Sequence, residues 1–62
     1  MTGEKIKGIR RKLFMTQGQF AKFLGVSKTT INNWEKERNE PNLQTQEKIF
    51  NLCKEKNIKW EE

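Results

Sequence analysis

The stretch Lys28-Thr29-Thr30-Ile31-Asn32-Asn33-Trp34-Glu35-Lys36 gathers the side chains of this chain best suited to hydrogen-bonding chemistry. Wound as a helix at about 100° per residue, it sets Ile31, Trp34 and Glu35 on one side. Thr29, Asn32, Asn33 and Lys36 fall on the other, with Lys28 and Thr30 at the borders. That outer face carries amides, hydroxyls and ammonium groups and no carboxylate. An asparagine amide can make two bonds to adenine, a lysine can donate to guanine O6 and N7, and a threonine methyl can touch thymine. The face is therefore chemically fitted to base-pair edges. An ordinary solvated helix surface holds similar residues, so the distinction rests on the elements that position it.

Little else in the chain could do chemistry. There is no His, Asp or Tyr, so proton transfer is left to Glu and Lys. Cys53 is the single cysteine and has no histidine to make it a thiolate. It cannot close an intramolecular disulfide, which points to a reducing, cytoplasmic setting and to a small core residue. No enzyme, catalytic residue, metal site or cofactor is expected. No apolar run approaches the ~20 residues of a membrane span, and Met1 to Lys12 has no hydrophobic signal core.

The 62 residues allow one small core, built by five Ile, four Leu, four Phe and two Trp. Thirteen Lys and Arg stand against eight Glu, a net charge of +5. The balance is uneven: Met1 to Arg38 carries +6 and Asn39 to Glu62 carries −1. An excess placed in this way favours an anionic partner, nucleic acid before a membrane surface.

The punctuation predicts four helices and no strand. The first runs from Gly3 or Glu4 to Phe14. Thr16-Gln17-Gly18-Gln19 forms a capping box that opens a second helix, Gln17 to Leu24, with Phe20, Ala21 and Leu24 inward. Gly25 ends it in the left-handed conformation. Ser27 caps a third helix, Lys28 to Lys36 or Glu37, with Asn39 as its stop and Pro41 blocking continuation. Asn42 caps a fourth, Leu43 to Lys56, with Leu43, Ile49, Leu52 and Cys53 inward. Asn57 is its left-handed cap and Ile58 folds back. Phe23 and Phe50, with Ile9 and Trp60, exceed what the core needs and are candidates for one exposed patch. The resulting expectation is an all-α, compact bundle of four or five helices in a single domain spanning 1–62. Ala21, Gly25 and Ile31 are spaced for a helix-turn-helix, with the second helix at about 17–24 and the recognition helix at about 28–36.

The residues Ile9-Arg10-Arg11-Lys12-Leu13, Thr16-Gln17, Phe20-Ala21, Leu24-Gly25-Val26-Ser27, Thr30-Ile31, Trp34-Glu35 and Pro41 together resemble the Cro/cI (lambda-repressor-like) helix-turn-helix family. The resemblance covers about Ile6 to Cys53. It implies base reading by Lys28, Thr29 and Asn33, with Thr30 and Asn32 nearby, and phosphate contacts from Gln17, Lys36, Arg38 and Asn39. It also implies a structural ion pair between Arg10 and Glu35. Three positions depart from the family pattern. Glu37 stands where glycine is common, so the third helix is expected to run on. Gln46 replaces an apolar residue, and the usual helix stop near Lys54 is missing, so a long last helix is expected.

The resemblance implies a sequence-specific double-stranded DNA-binding regulator, a repressor in a prokaryotic or phage setting. It would act as a homodimer, because one helix reads too few base pairs to specify a site. The alternative is a protein-interaction module on the same fold, such as a toxin-binding antitoxin segment or an adaptor. Its protein partner would use the surplus apolar residues. A salt-dependent shift of duplex DNA by the isolated chain separates the two.

Overall fold

The computed structural model describes residues 2–59. It contains α1 (Gly3–Lys12), α2 (Gln17–Leu24), α3 (Lys28–Glu35) and α4 (Leu43–Glu55), with no strand among the described residues. Each helix begins on a short polar side chain that accepts from a backbone N–H three residues on. The pairs are Thr2 with Lys5, Thr16 with Gln19, Ser27 with Thr30 and Asn42 with Thr45. At α2 the capping box is complete, since the Gln19 side chain also accepts from the Thr16 N–H at 2.9 Å. Each cap satisfies a backbone donor that the helix itself leaves without a partner.

All four helices also stop in the same way. The residue after the last turn is left-handed: Phe14 (φ 59°), Gly25 (φ 75°), Glu37 (φ 60°) and Asn57 (φ 61°). The next residue donates back to a carbonyl five positions earlier, as in Met15 to Arg10, Val26 to Ala21, Arg38 to Asn33 and Ile58 to Cys53. At α1, α2 and α4 this reversal turns an apolar side chain onto the bundle, whereas at α3 the residue so placed is the exposed Arg38. Met15, Val26 and Ile58 all pack against the core.

That geometry corrects two expectations. α1 ends at Lys12 rather than Phe14, because the reversal delivers Met15 inward and leaves Phe14 94% exposed. α3 ends at Glu35 and does not run on through Glu37 to Asn39. The chain must turn at Glu37 to bring Pro41, four residues beyond it, into a buried position. A left-handed Glu is strained where Gly is not. Glu37→Gly is therefore expected to stabilise the fold by about 0.5–1 kcal/mol, read as a higher urea midpoint at unchanged slope.

The core comprises Ile6, Ile9, Phe20, Ala21, Leu24, Ile31, Trp34, Ile49, Leu52 and Cys53. Leu43, expected inward, is 82% exposed. Nine residues at about 100° each place it on the opposite side of α4 from Leu52. Ile9, expected at the surface, is buried, because it follows Ile6 by one turn on the same stripe. Phe23 and Phe50 are exposed but line different grooves. Phe23 lies with Lys48, Asn51, Leu52 and Glu55, whereas Phe50 lies with Leu43, Gln44, Gln46 and Glu47. They do not form one patch, and Trp60 lies outside the described residues. α1 crosses the end of α3 at Gly3. A Cβ there would fall within 2.7 Å of the Trp34 carbonyl oxygen and nearer still to that of Glu35. Only glycine permits this approach without a shift of α1, and nothing in the local sequence signals it.

Candidate nucleic-acid interface

Gly25, Val26 and Ser27 alone separate α2 from α3, and Phe20, Ala21, Leu24, Ile31 and Trp34 fill the angle between the two helices. With Ile31 and Trp34 drawn inward, Lys28, Thr29 and Lys36 are exposed, while Thr30, Asn32 and Asn33 are partly covered. Thr30 is committed to the helix start. Its hydroxyl lies 2.9 Å from that of Ser27, and its N–H donates to the same Ser27 oxygen. This fixes the hydroxyl toward the helix start, with its methyl group and one remaining hydrogen-bonding site open to contacts outside the protein.

Beneath this face lies a polar network that ties three helices together. Arg10 of α1 donates through Nε to Glu35 Oε2 at 2.6 Å and through Nη2 to Oε1 at 3.2 Å. Its Nη1 donates to the Met15 carbonyl at 3.0 Å, fixing the α1–α2 connection to the same guanidinium. Gln17, the first residue of α2, donates through Nε2 to Glu35 Oε1 at 3.1 Å and to Asn32 Oδ1 at 3.5 Å. Burial pushes the Glu35 carboxyl toward the neutral form. The hydrogen bonds from Arg10 and Gln17, with the charges of Arg10 and Lys7, outweigh that and hold it below its ordinary value. Glu35 is therefore an ionised anchor between α1, α2 and α3.

Cys53 is buried on α4. Burial pushes its thiol up, against a smaller opposing effect of the Lys12 charge, so it remains a neutral core side chain.

Residues 6–61 match a family described as helix-turn-helix. The chain belongs to the Cro/cI-type helix-turn-helix family. A similar protein is the repressor protein C2 of Salmonella phage P22, 40% identical over 42 residues. The match takes in 68% of this chain but 19% of the repressor, so the chain spans about a fifth of that relative's length. No solved structure gives a significant match.

Within the helix-turn-helix frame, α2 is the supporting helix and α3 the one whose outer face is open. The base-reading set expected from sequence (Lys28, Thr29, Thr30, Asn32 and Asn33) lies on this single helix. Lys36, Arg38 and Asn39 follow it directly in the exposed turn after α3, beside Glu37 and Glu40. Gln17 is separate from that loop and is turned toward Glu35 and Asn32. Two features of the frame are absent from the sequence reading. The Met15 carbonyl holds Arg10, a backbone contact without any side-chain signature. Gly3 admits the end of α3, a long-range approach that residue types in α1 do not report.

The longest described helix has 13 residues, and none is long and apolar enough to cross a membrane.

Proposed function

We propose that this helix-turn-helix domain binds double-stranded DNA sequence-specifically and serves as a transcriptional repressor, with α3 in the major groove. The observation that carries this reading is the outer face of α3. It is free of carboxylate, lined by Lys28, Thr29, Asn33 and Lys36, and braced from behind by Ile31, Trp34 and the Arg10–Glu35 pair. Asn33 suits adenine through two bonds, Lys28 suits guanine, and the methyl groups of Thr29 and Thr30 suit thymine. Lys36, Arg38 and Asn39 supply phosphate contacts. Binding as a homodimer on half-sites one turn apart follows from the short reading length of one helix. The similarity to a phage repressor supports a repressor in a prokaryotic or phage setting. The location consistent with this role is the nucleoid within the cytoplasm, and no catalytic step is needed for it.

The test separates reading from gripping. Asn33→Ala is expected to relax the preference at one base pair by about 1–3 kcal/mol while leaving non-specific binding intact. Lys36→Ala is expected to weaken binding to all sequences and to lower the slope of log K against log salt by about 1. Binding titrations on selected and scrambled duplexes at several salt concentrations measure both. If neither variant changes duplex affinity, α3 is not the reading helix.

A further inference from the structure

The turn that follows α3 carries charges of both signs. Lys36 and Arg38 stand against Glu37 and Glu40, so the segment from Lys36 to Glu40 has no net charge, although the chain up to Arg38 carries +6. The segment is exposed throughout. Glu37 is its anomalous member. The backbone there is left-handed at φ 60°, a conformation that a side chain makes costly. Two hydrogen bonds hold it in place, from the Glu37 N–H to the Trp34 carbonyl at 3.0 Å and from the Arg38 N–H to the Asn33 carbonyl at 2.9 Å. The Glu37 carboxylate accepts no hydrogen bond and makes no ion pair among the described residues, in contrast to Glu35, whose charge is matched by Arg10. Strain at a position whose side chain supports nothing in the fold points to a role outside it.

We propose that Glu37 is an electrostatic brake on DNA binding: its charge opposes the attraction of Lys36 and Arg38 for phosphate and lowers the affinity of the domain for every duplex alike. This rests on the DNA-binding reading above. Attraction between cationic side chains and phosphates is independent of sequence and supplies nearly all non-specific binding. Consecutive Cα atoms are about 3.8 Å apart, so phosphates gripped by Lys36 and Arg38 lie within roughly one Debye length, about 8 Å, of the Glu37 carboxylate. At that range the repulsion is only partly screened. It falls equally on selected and unselected sequences, whereas the contacts of Lys28, Thr29 and Asn33 with bases count only at the selected one. Stable occupancy then demands base contacts, and a homodimer, which bears the repulsion twice, demands both half-sites. A glycine at this position would relax the turn and tighten the grip on any DNA.

Selection of bound sites from random duplexes with the intact chain supplies the complete site, a single half-site and a scrambled control. The parent protein, Glu37→Gln, Glu37→Asp and Glu37→Gly are then titrated on all three over a range of salt. Glu37→Gln, which keeps side-chain length and removes the charge, is expected to bind half-site and scrambled duplexes roughly threefold to tenfold more tightly at low salt. The gain fades as salt rises, with the slope of log K against log salt steeper by up to about 1. Base preference at each position stays that of the parent. Glu37→Asp keeps the charge and is expected to bind as the parent does. Urea unfolding separates charge from strain: Glu37→Gln keeps the parent midpoint, whereas Glu37→Gly raises the midpoint and the affinity together. Three results overturn the proposal. Unchanged affinity and slope in Glu37→Gln would place the carboxylate away from DNA. A changed preference at one base pair would make Glu37 a base-reading residue. A loss of affinity confined to the complete site would make it a contact between two copies of the chain. Absence of duplex binding by the parent protein would instead remove the DNA-binding reading itself, and the brake with it.

Discussion

Replacing Glu35 with alanine is expected to abolish most of the stability of this fold. The Arg10 and Glu35 side chains are only 13% and 6% exposed, and they meet through two hydrogen bonds. Removing one member of a buried pair leaves the other charged and without its partner, at a cost of about 3–5 kcal/mol. Small domains lie toward the lower end of the usual ~5–15 kcal/mol of stability, so a loss of this size leaves little folded protein. Glu35 also receives Gln17, and Arg10 also holds the Met15 carbonyl, so the damage reaches α1, α2 and the connection between them. By contrast, Arg10→Met combined with Glu35→Leu removes both charges together and is expected to cost far less than the sum of the single changes. Urea unfolding of the two singles and the double measures the coupling. Simple additivity would show that the pair does not act as a unit.

The same pair gives the fold an acid limit. Glu35 has its pKa lowered in the folded state relative to an ordinary value of 4.5. A depressed carboxyl binds its proton more readily when unfolded, so its contribution is present above the ordinary value and fades as pH falls through the folded one. The urea midpoint should drop across that acidic window. A Glu35→Gln variant, which has no proton to take up there, should show a shallower drop.

Ile31→Ala is the second large effect. Ile31 is fully buried, with 0% exposure, in the cluster that holds α2 against α3. Truncation removes apolar burial and leaves a cavity whose walls belong to two separate helices, a loss of about 2–5 kcal/mol. The position also lies directly beneath the face of α3 proposed to read DNA. Thr29, Asn32, Asn33 and Lys36 owe their outward direction to Ile31 and Trp34 being fixed inward. A folded Ile31→Ala population is therefore expected to lose base preference before it loses salt-dependent, non-specific binding. Urea unfolding and duplex titration on specific and scrambled sites report the two effects separately. A change in stability under about 1 kcal/mol would mean that the cavity collapses and that α3 is held chiefly by the Arg10–Glu35 pair.

Much of this arrangement is legible without coordinates. The N-caps Thr16, Ser27 and Asn42 and the stops at Gly25 and Asn57 are local features, decided by residues within five positions of one another. The inward face of α3 is equally local, because Ile31 and Trp34 lie three residues apart. The errors fall where a residue type misleads about its surroundings. Phe14 and Glu37 carry no mark of left-handed backbone. They adopt it because Met15 must pack against the core and Pro41 must reach a buried position, and that demand comes from the whole bundle. Leu43 is apolar at the start of a helix and still faces water, since the stripe on α4 is set by what α2 presents to it.

By itself, then, the sequence determined the four helices, the tight turn between α2 and α3, the basic half of the chain and the amide- and hydroxyl-bearing face of α3. Periodicity, capping and charge are properties of neighbouring residues, and they survive in any compact arrangement. The tertiary structure alone decided the close approach at Gly3, the capture of Arg10 by both Glu35 and the Met15 carbonyl, and the direction of the Gln17 and Asn32 amides. These depend on groups from different helices meeting within hydrogen-bond reach. An amide looks the same from either end in a sequence, and only its partners determine which end is free to donate.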